Sequence, residues 1–537
     1  MVAEELPEIS GDRNRFRVAV LWVLSASFFC LSCAVVSYRA HQYQQMPGSS
    51  STHEQAIHLG NASDPIGSPQ AFSGFKTFQD EIYFPVRSMI TGGIPYSPKY
   101  QDFHPDHFRA VSTSPTVLAL ASPFGFLSLR EAQWLYLCFC FFLAVLTARL
   151  LFRAGMGRAP WTIVLVVSGL MLISRPGMHE LLGVGLVFPV VYGFAVALEY
   201  SKRRVFISGL GFFVTTCSLA FALPLAVLMM FRRDVVALGC GLLLTMVVWV
   251  SVGLVLAKGD LNELQRIARE DFGRQVGGIV ERTEPSEVDQ LCWDRIDLTP
   301  TVIKISRGDF FGDRRDGETE VAQDFKGTAT KRVASKVSSV RFSFLPLAVF
   351  SKFPYNGLVG VGGFVLIACL AFGVICLLLE KRHSQRTGIT SRSAVLIVLI
   401  TLLACPHSVG DGVLVWVSLA GLLVGFRNLV VGLNWFVRFL VVVGLVVFVF
   451  NFLTPDSLRE LGVFGQTILP DSWQMNVVAS LNPILLMVAA LLVGLTCLAS
   501  QLSAGDPAKV AAGKPLAEGV DGAGSRRQQE WQKLKRK

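Results

Sequence analysis

Apolar runs close to 20 residues long, the length that carries a helix across the hydrocarbon core of a bilayer, recur through this chain and decide its class. The first covers residues 16–37. Others lie near 130–152, 160–175, 181–199, 204–231, 235–257, 357–379, 393–406, 411–427, 433–453 and 477–500. The run at 204–231 reads as two short helices about Pro224, so the sequence predicts an all-α, polytopic membrane protein of about twelve spans. Charged residues are 16% of the 537, against about 25% in soluble domains, which fits that class.

The first run is longer than a signal-peptide core and has no small-residue cleavage site close behind it, so it is expected to be a retained anchor. The apolar stretch at 115–127 is too short to cross. Counting it as a span would also put Arg153 and Arg158 outside, so it is expected to be a re-entrant or juxtamembrane helix.

Basic residues set the orientation. Arg13, Arg15 and Arg17, Arg153 and Arg158, Lys202 to Arg204, Arg232 and Arg233, Lys381 to Arg392, Arg427 and the basic tail flank alternate ends of the runs. The positive-inside rule makes those ends, and both termini, cytoplasmic. The formal charge of +10 is therefore a consequence of topology, and nucleic acid is not an expected partner. The resulting segments are a cytoplasmic N-terminus at 1–15 and a membrane module at 16–257 that contains a first outer loop at 38–129. A large outer loop at 258–356, C-terminal helices at 357–502 and a cytoplasmic basic tail at 503–537 follow. The large outer loop opens with a helix for which Asp260 is the expected N-cap, with Glu263 completing a capping box. The Gly/Ala/Lys-rich tail is expected to be unstructured.

Several chemistries are disfavoured. Ten of the 11 cysteines sit in or beside apolar runs, and Cys292 has no partner in its loop, so no disulfide framework follows. Cys30 and Cys33, and Cys138 and Cys140, lack the further ligands of a four-coordinate zinc site. No phosphate-cradling glycine loop or dinucleotide fingerprint occurs, so no nucleotide cofactor is expected.

Candidate chemistry collects on the outer face. Asp80 and Glu81 form an acidic pair after the first span. On a helix, Asp80, Tyr83 and Arg87 share one side and present an acceptor, a hydroxyl and a cation. A carboxylate beside the apolar slab loses hydration and its proton affinity rises, while a nearby Arg or His opposes the rise. Together these influences can poise a general base. A solvated loop pair or a helix cap is the alternative reading of Asp80 and Glu81.

The same face holds His104, Asp106 and His107, then Arg175, His179 and Glu180, then His407 and Asp411. Cations and donors of this kind suit a phosphate at a membrane surface. The segment His104-Pro105-Asp106-His107 cannot close a metal site by itself, and no metal is expected.

The order Asp80, Tyr83-Phe84, Arg87, Gly92-Gly93-Ile94-Pro95-Tyr96, then Ser114-Pro115-Thr116 leading an apolar helix that ends before Ala132-Gln133-Trp134, resembles the first outer loop of GT-C superfamily membrane glycosyltransferases. It is most similar to the polyprenol-phosphate-mannose-dependent mannosyltransferases of actinobacteria. Arg175 to Leu182 before a long span, and Pro406-His407-Ser408 at an outer helix end, follow in the same order.

The resemblance implies GT-C architecture, Asp80 as catalytic base, His407 at the donor phosphate, and a bacterial plasma membrane with the active site on its extracytoplasmic face. Glu81, Tyr83, Arg87, His104, His107, Arg175, His179 and Glu180 are the further substrate-binding candidates. The implied partners are a polyprenyl-phosphate sugar donor, with mannose the expected sugar, and a lipid or glycan acceptor. Because the donor arrives activated, no ATP or other cofactor is needed.

The chain departs from the family at Ser114-Pro115-Thr116, where Tyr-Pro-Pro is common. It departs again at Leu223-Pro224, where a basic residue precedes the proline. The alternatives are a lipid or solute transporter, an O-antigen-type polymerase or ligase, and a non-catalytic scaffold. Nearly charge-free spans argue against transport, and the Asp80 segment argues against the polymerase.

Overall fold

The computed structural model describes residues 9–44, 78–96, 113–156, 159–183, 185–269, 271, 392–404, 410–424, 435–451 and 473–504, with parts of 367–378. Among the described residues every regular element is helical and there is no strand.

Helix α1 (Ile9–Gln44) comes first. A widened turn at Gln79–Tyr83 leads into α2 (Phe84–Ile90). Then come α3 (Pro115–Ala121), which runs on as a tight turn at Ser122–Phe126, and α4 (Leu129–Met156). Next are α5 (Trp161–Ile173), α6 (Arg175–Gly183), α7 (Val187–Tyr200), α8 (Val205–Thr215), α9 (Leu219–Phe231) and α10 (Val235–Leu256). A helix over 261–269, α11, opens the large loop. The C-terminal part contains α12 (Arg392–Ala404), a tight turn at Gly410–Leu414, α13 (Val415–Val424), α14 (Trp435–Phe450) and α15 (Trp473–Ala504).

Three of these, α1, α4 and α10, contain segments long and apolar enough to cross a membrane, and α5 with α6 makes a fourth if the 66° bend between them is part of one span. The outward faces agree with that reading. Phe16 is 71% exposed, Met246 68% and Val255 72%. Side chains of this kind lining whole helices suit hydrocarbon rather than water. Helix α7, by contrast, is buried on nearly every side and packs against α4, α8 and the Gly410–Leu414 turn. Where α7 crosses α8, a Cβ on Gly193 would lie 2.7 Å from the Gly211 carbonyl, so small residues set the helix spacing. Ser208 adds a hydroxyl bond to the Ala197 carbonyl at 2.6 Å.

Two local expectations need correcting. The 204–231 run breaks at 216–218, and Pro224 lies inside α9. At the end of α8, Thr215 and Thr216 donate their hydroxyls to the carbonyls of Gly211 and Phe213. At the start of α11, Asp260 accepts the Asn262 N–H at 2.9 Å as an N-cap should. Glu263 does not close the box. It pairs with Arg266, and the Asp260 N–H is already bonded to the Ala257 carbonyl. The remainder of the 258–356 loop and the 505–537 tail lie outside the described residues.

Candidate functional site

Proline 85 shapes the segment that carries Asp80. A proline has no N–H, and its ring crowds the carbonyl four residues earlier, here Glu81. The chain responds by widening: the Phe84 N–H bonds five residues back, to Gln79, making a π turn over Gln79–Tyr83. The Glu81 carbonyl, deprived of its helical donor, takes the Thr113 hydroxyl at 2.7 Å. The Thr113 carbonyl in turn accepts the buried Tyr96 hydroxyl at 2.7 Å.

The two flanking segments are locked in the same way. Helix α2 ends in a Schellman motif, with Gly92 at φ +84° and the Gly93 N–H on the Ser88 carbonyl. Ser114 caps α3 by accepting the Val117 N–H, and Ser128 and Glu131 form a reciprocal capping box at the start of α4. Of Asp80 the backbone is described, and it lies within the π turn.

The neighbours of Asp80 on the expected helical face hold the fold together. Tyr83 is buried and donates to the Leu127 carbonyl at 3.0 Å, and Arg87 donates to the Tyr83 hydroxyl at 3.1 Å. These bonds join α2 to the turn ahead of α4. Glu81 is half-buried.

A second group forms around α6. Ser174 ends α5 and caps α6: its Oγ accepts the Gly177 N–H at 3.3 Å and the Trp416 indole N–H at 3.3 Å. The bend also depends on Gly177, where a Cβ would sit 1.9 Å from the Met171 carbonyl oxygen. The bend brings α6 against the Gly410–Leu414 turn, where Gly412 meets the Pro176 ring. This packing puts Asp411, buried, within electrostatic range of half-buried His179, on which the Arg175 charge also acts.

Arg175 donates to the Asn451 carbonyl at 3.0 Å, where a cation complements the C-terminal end of α14. The Asn451 amide donates to Asn482 Oδ1 at 2.8 Å, which ties in α15. Glu180 is buried, and its carboxylate accepts the Val187 N–H at 2.7 Å, capping α7.

Tyr136 of α4 connects the two groups. Its ring packs 5.0 Å from that of Phe78, just ahead of the π turn, with Phe124 completing a three-ring cluster. Its hydroxyl donates to the Gly185 carbonyl at 2.9 Å, in the corner between α6 and α7. The Asp80 turn and the α6 corner are thus joined through a single side chain at one end of the helical body.

Of the sequence candidates, Asp80, Glu81, Tyr83 and Arg87 fall in the first group and Arg175, His179 and Glu180 in the second. His104, His107 and His407 lie outside the described residues. Sequence reasoning singled out neither Thr113 nor Tyr136, Asn451 and Asn482. Pro85 was the available signal for Thr113, since it predicts an orphaned carbonyl at Glu81. Asp411 stood out in the sequence only as a neighbour of His407.

Among the described residues no cluster of three or more His, Cys, Asp or Glu side chains suits a metal ion. Comparison with protein-family models, with curated proteins and with solved structures finds no match.

Proposed function

We propose that this chain is a polytopic glycosyltransferase of about twelve spans with GT-C architecture. It transfers a sugar, mannose on the resemblance, from a polyprenyl-phosphate donor to a lipid or glycan acceptor on the extracytoplasmic side of a bacterial plasma membrane. The observation that carries this reading is the π turn at Asp80, braced by Thr113 from a distant part of the chain. Widened turns of this kind are costly and collect at functional positions.

Asp80 takes the proton of the acceptor hydroxyl as that oxygen attacks the anomeric carbon. The bond from that carbon to the phosphate oxygen breaks, and its electron pair leaves with the polyprenyl phosphate. Hydrogen-bond donors at the outer end, with the Arg175 guanidinium and the His179 and His407 imidazoles the candidates, stabilise the departing charge. One displacement inverts the anomeric configuration, and a single carboxylate suffices because the phosphate leaves without an acid. Arg87, through Tyr83, positions the turn that carries the base.

The test is transfer of labelled mannose from synthetic polyprenyl-phosphate-mannose in proteoliposomes, with the anomer of the product determined. An inverted glycoside supports the reading. A retained one, or none from any polyprenyl-phosphate sugar, counts against it.

The 66° break between α5 and α6 favours a second reading, transport, because discontinuous helices commonly bind substrate in transporters. Movement of an unaltered lipid or solute across the vesicle, with no covalent product, would select it.

A further inference from the structure

The end of the helical body opposite Asp80 has a cavity of its own. It measures about 260 Å³ and lies between the C-terminal ends of α4 and α7, lined by Leu150, Arg153, Ala154, Glu199, Tyr200 and Arg203. Tyr136 and Arg153 are 17 positions apart on the one continuous helix α4, which is roughly 26 Å along its axis, close to the thickness of a bilayer's hydrocarbon core. The cavity therefore sits at the other membrane interface from the π turn. The distribution of basic residues assigns that interface to the cytoplasm.

The cations at this end divide into two kinds. Arg149 stacks its guanidinium over the Trp161 ring at 4.7 Å. Lys202 donates to the Arg232 carbonyl at 2.8 Å and pairs with buried Asp234. Arg153 and Arg203 are exposed at the cavity, and neither guanidinium has a hydrogen bond or ion pair among the described residues. Two exposed guanidinium groups at one cavity suit an anion such as a phosphodiester. Its walls suit the same ligand. Leu150 and Ala154 supply apolar surface beside the two cations, and the Tyr200 hydroxyl can meet a headgroup hydroxyl.

We infer that this cavity binds the phosphodiester headgroup of a cytoplasmic-leaflet lipid, held by Arg153 and Arg203. A lipid is favoured over a free phosphate because the site opens between two helix ends at the interface and Leu150 and Ala154 form part of its wall. A lipid there would clamp α4 to α7, which pack together along their length, with the Tyr136–Gly185 bond joining α4 to the corner just ahead of α7.

The full chain in phosphatidylcholine nanodiscs containing a photoactivatable phosphatidylglycerol tests this. The wild type is expected to give adducts on residues lining the cavity. Arg153→Gln with Arg203→Gln should lower that labelling roughly 30-fold, while Arg130→Gln, an exposed arginine at the other end of α4, leaves it unchanged. Arg153→Lys with Arg203→Lys keeps the charge and should keep most of the labelling, which separates lost binding from lost folding. Equal labelling of the wild type and the double Gln variant overturns the inference. So does complete displacement of the lipid by millimolar inorganic phosphate, which would make the ligand a free anion.

Discussion

Thr113 donates its hydroxyl hydrogen to the Glu81 carbonyl at 2.7 Å, across 32 positions of chain. That carbonyl needs a donor only because Pro85 cannot supply one, so the bond and the π turn it braces have one cause. Thr113→Val keeps the shape and removes the donor. It should lower stability by about 0.5–1.5 kcal/mol, the net worth of a partly buried hydrogen bond, and should lower sugar transfer as well. Thr113→Ser should stay near wild type. Thermal melts in detergent, alongside transfer rates, check both.

Pro85→Ala returns the missing N–H and lets the widened turn close to an ordinary α turn. The segment before it would then rotate by about 100° relative to α2, taking Asp80 with it. Stability should hold or rise while transfer is lost. A parallel loss of both would mean the π turn serves the fold alone.

Glu180 supplies the acceptor for the first turn of α7. Glu180→Ala should cost about 0.5–2 kcal/mol, as loss of an N-cap does, and Glu180→Gln only a fraction of that. Should Glu180→Gln melt like wild type yet lose donor affinity, the carboxylate would have a binding role beyond the cap.

The 66° bend ahead of α6 depends on Gly177. Gly177→Ala puts a Cβ 1.9 Å from a backbone oxygen and should leave little folded protein, whereas Gly239→Ala, with nothing within 4 Å, should be neutral. Size-exclusion profiles of the two variants make the comparison.

The helical body, with segments long and apolar enough to cross a membrane, was legible in the sequence because bilayer thickness fixes the length of an apolar run. The breaks within runs were less so. Pro224 drew attention as the stronger helix breaker, yet the run breaks after Thr215 and Pro224 is carried inside α9. The face shared by Asp80, Tyr83 and Arg87 assumed 3.6 residues per turn, a period the π turn does not keep. The fold-holding bonds of Arg175 and Tyr83 were out of reach because their partners, Asn451 and Leu127, lie 276 and 44 positions away. Nothing in local patterning announces contacts at that range.

Asp80 is proposed as the base of a sugar transfer from a lipid phosphate. The most direct test of that role is the turnover number of Asp80→Asn in proteoliposomes, measured with polyprenyl-phosphate-mannose and acceptor at saturation, on protein whose melting temperature matches wild type. Loss of a general base predicts a fall of at least 10²-fold with donor binding retained. Turnover within a few-fold of wild type would contradict the account and remove Asp80 from the chemistry.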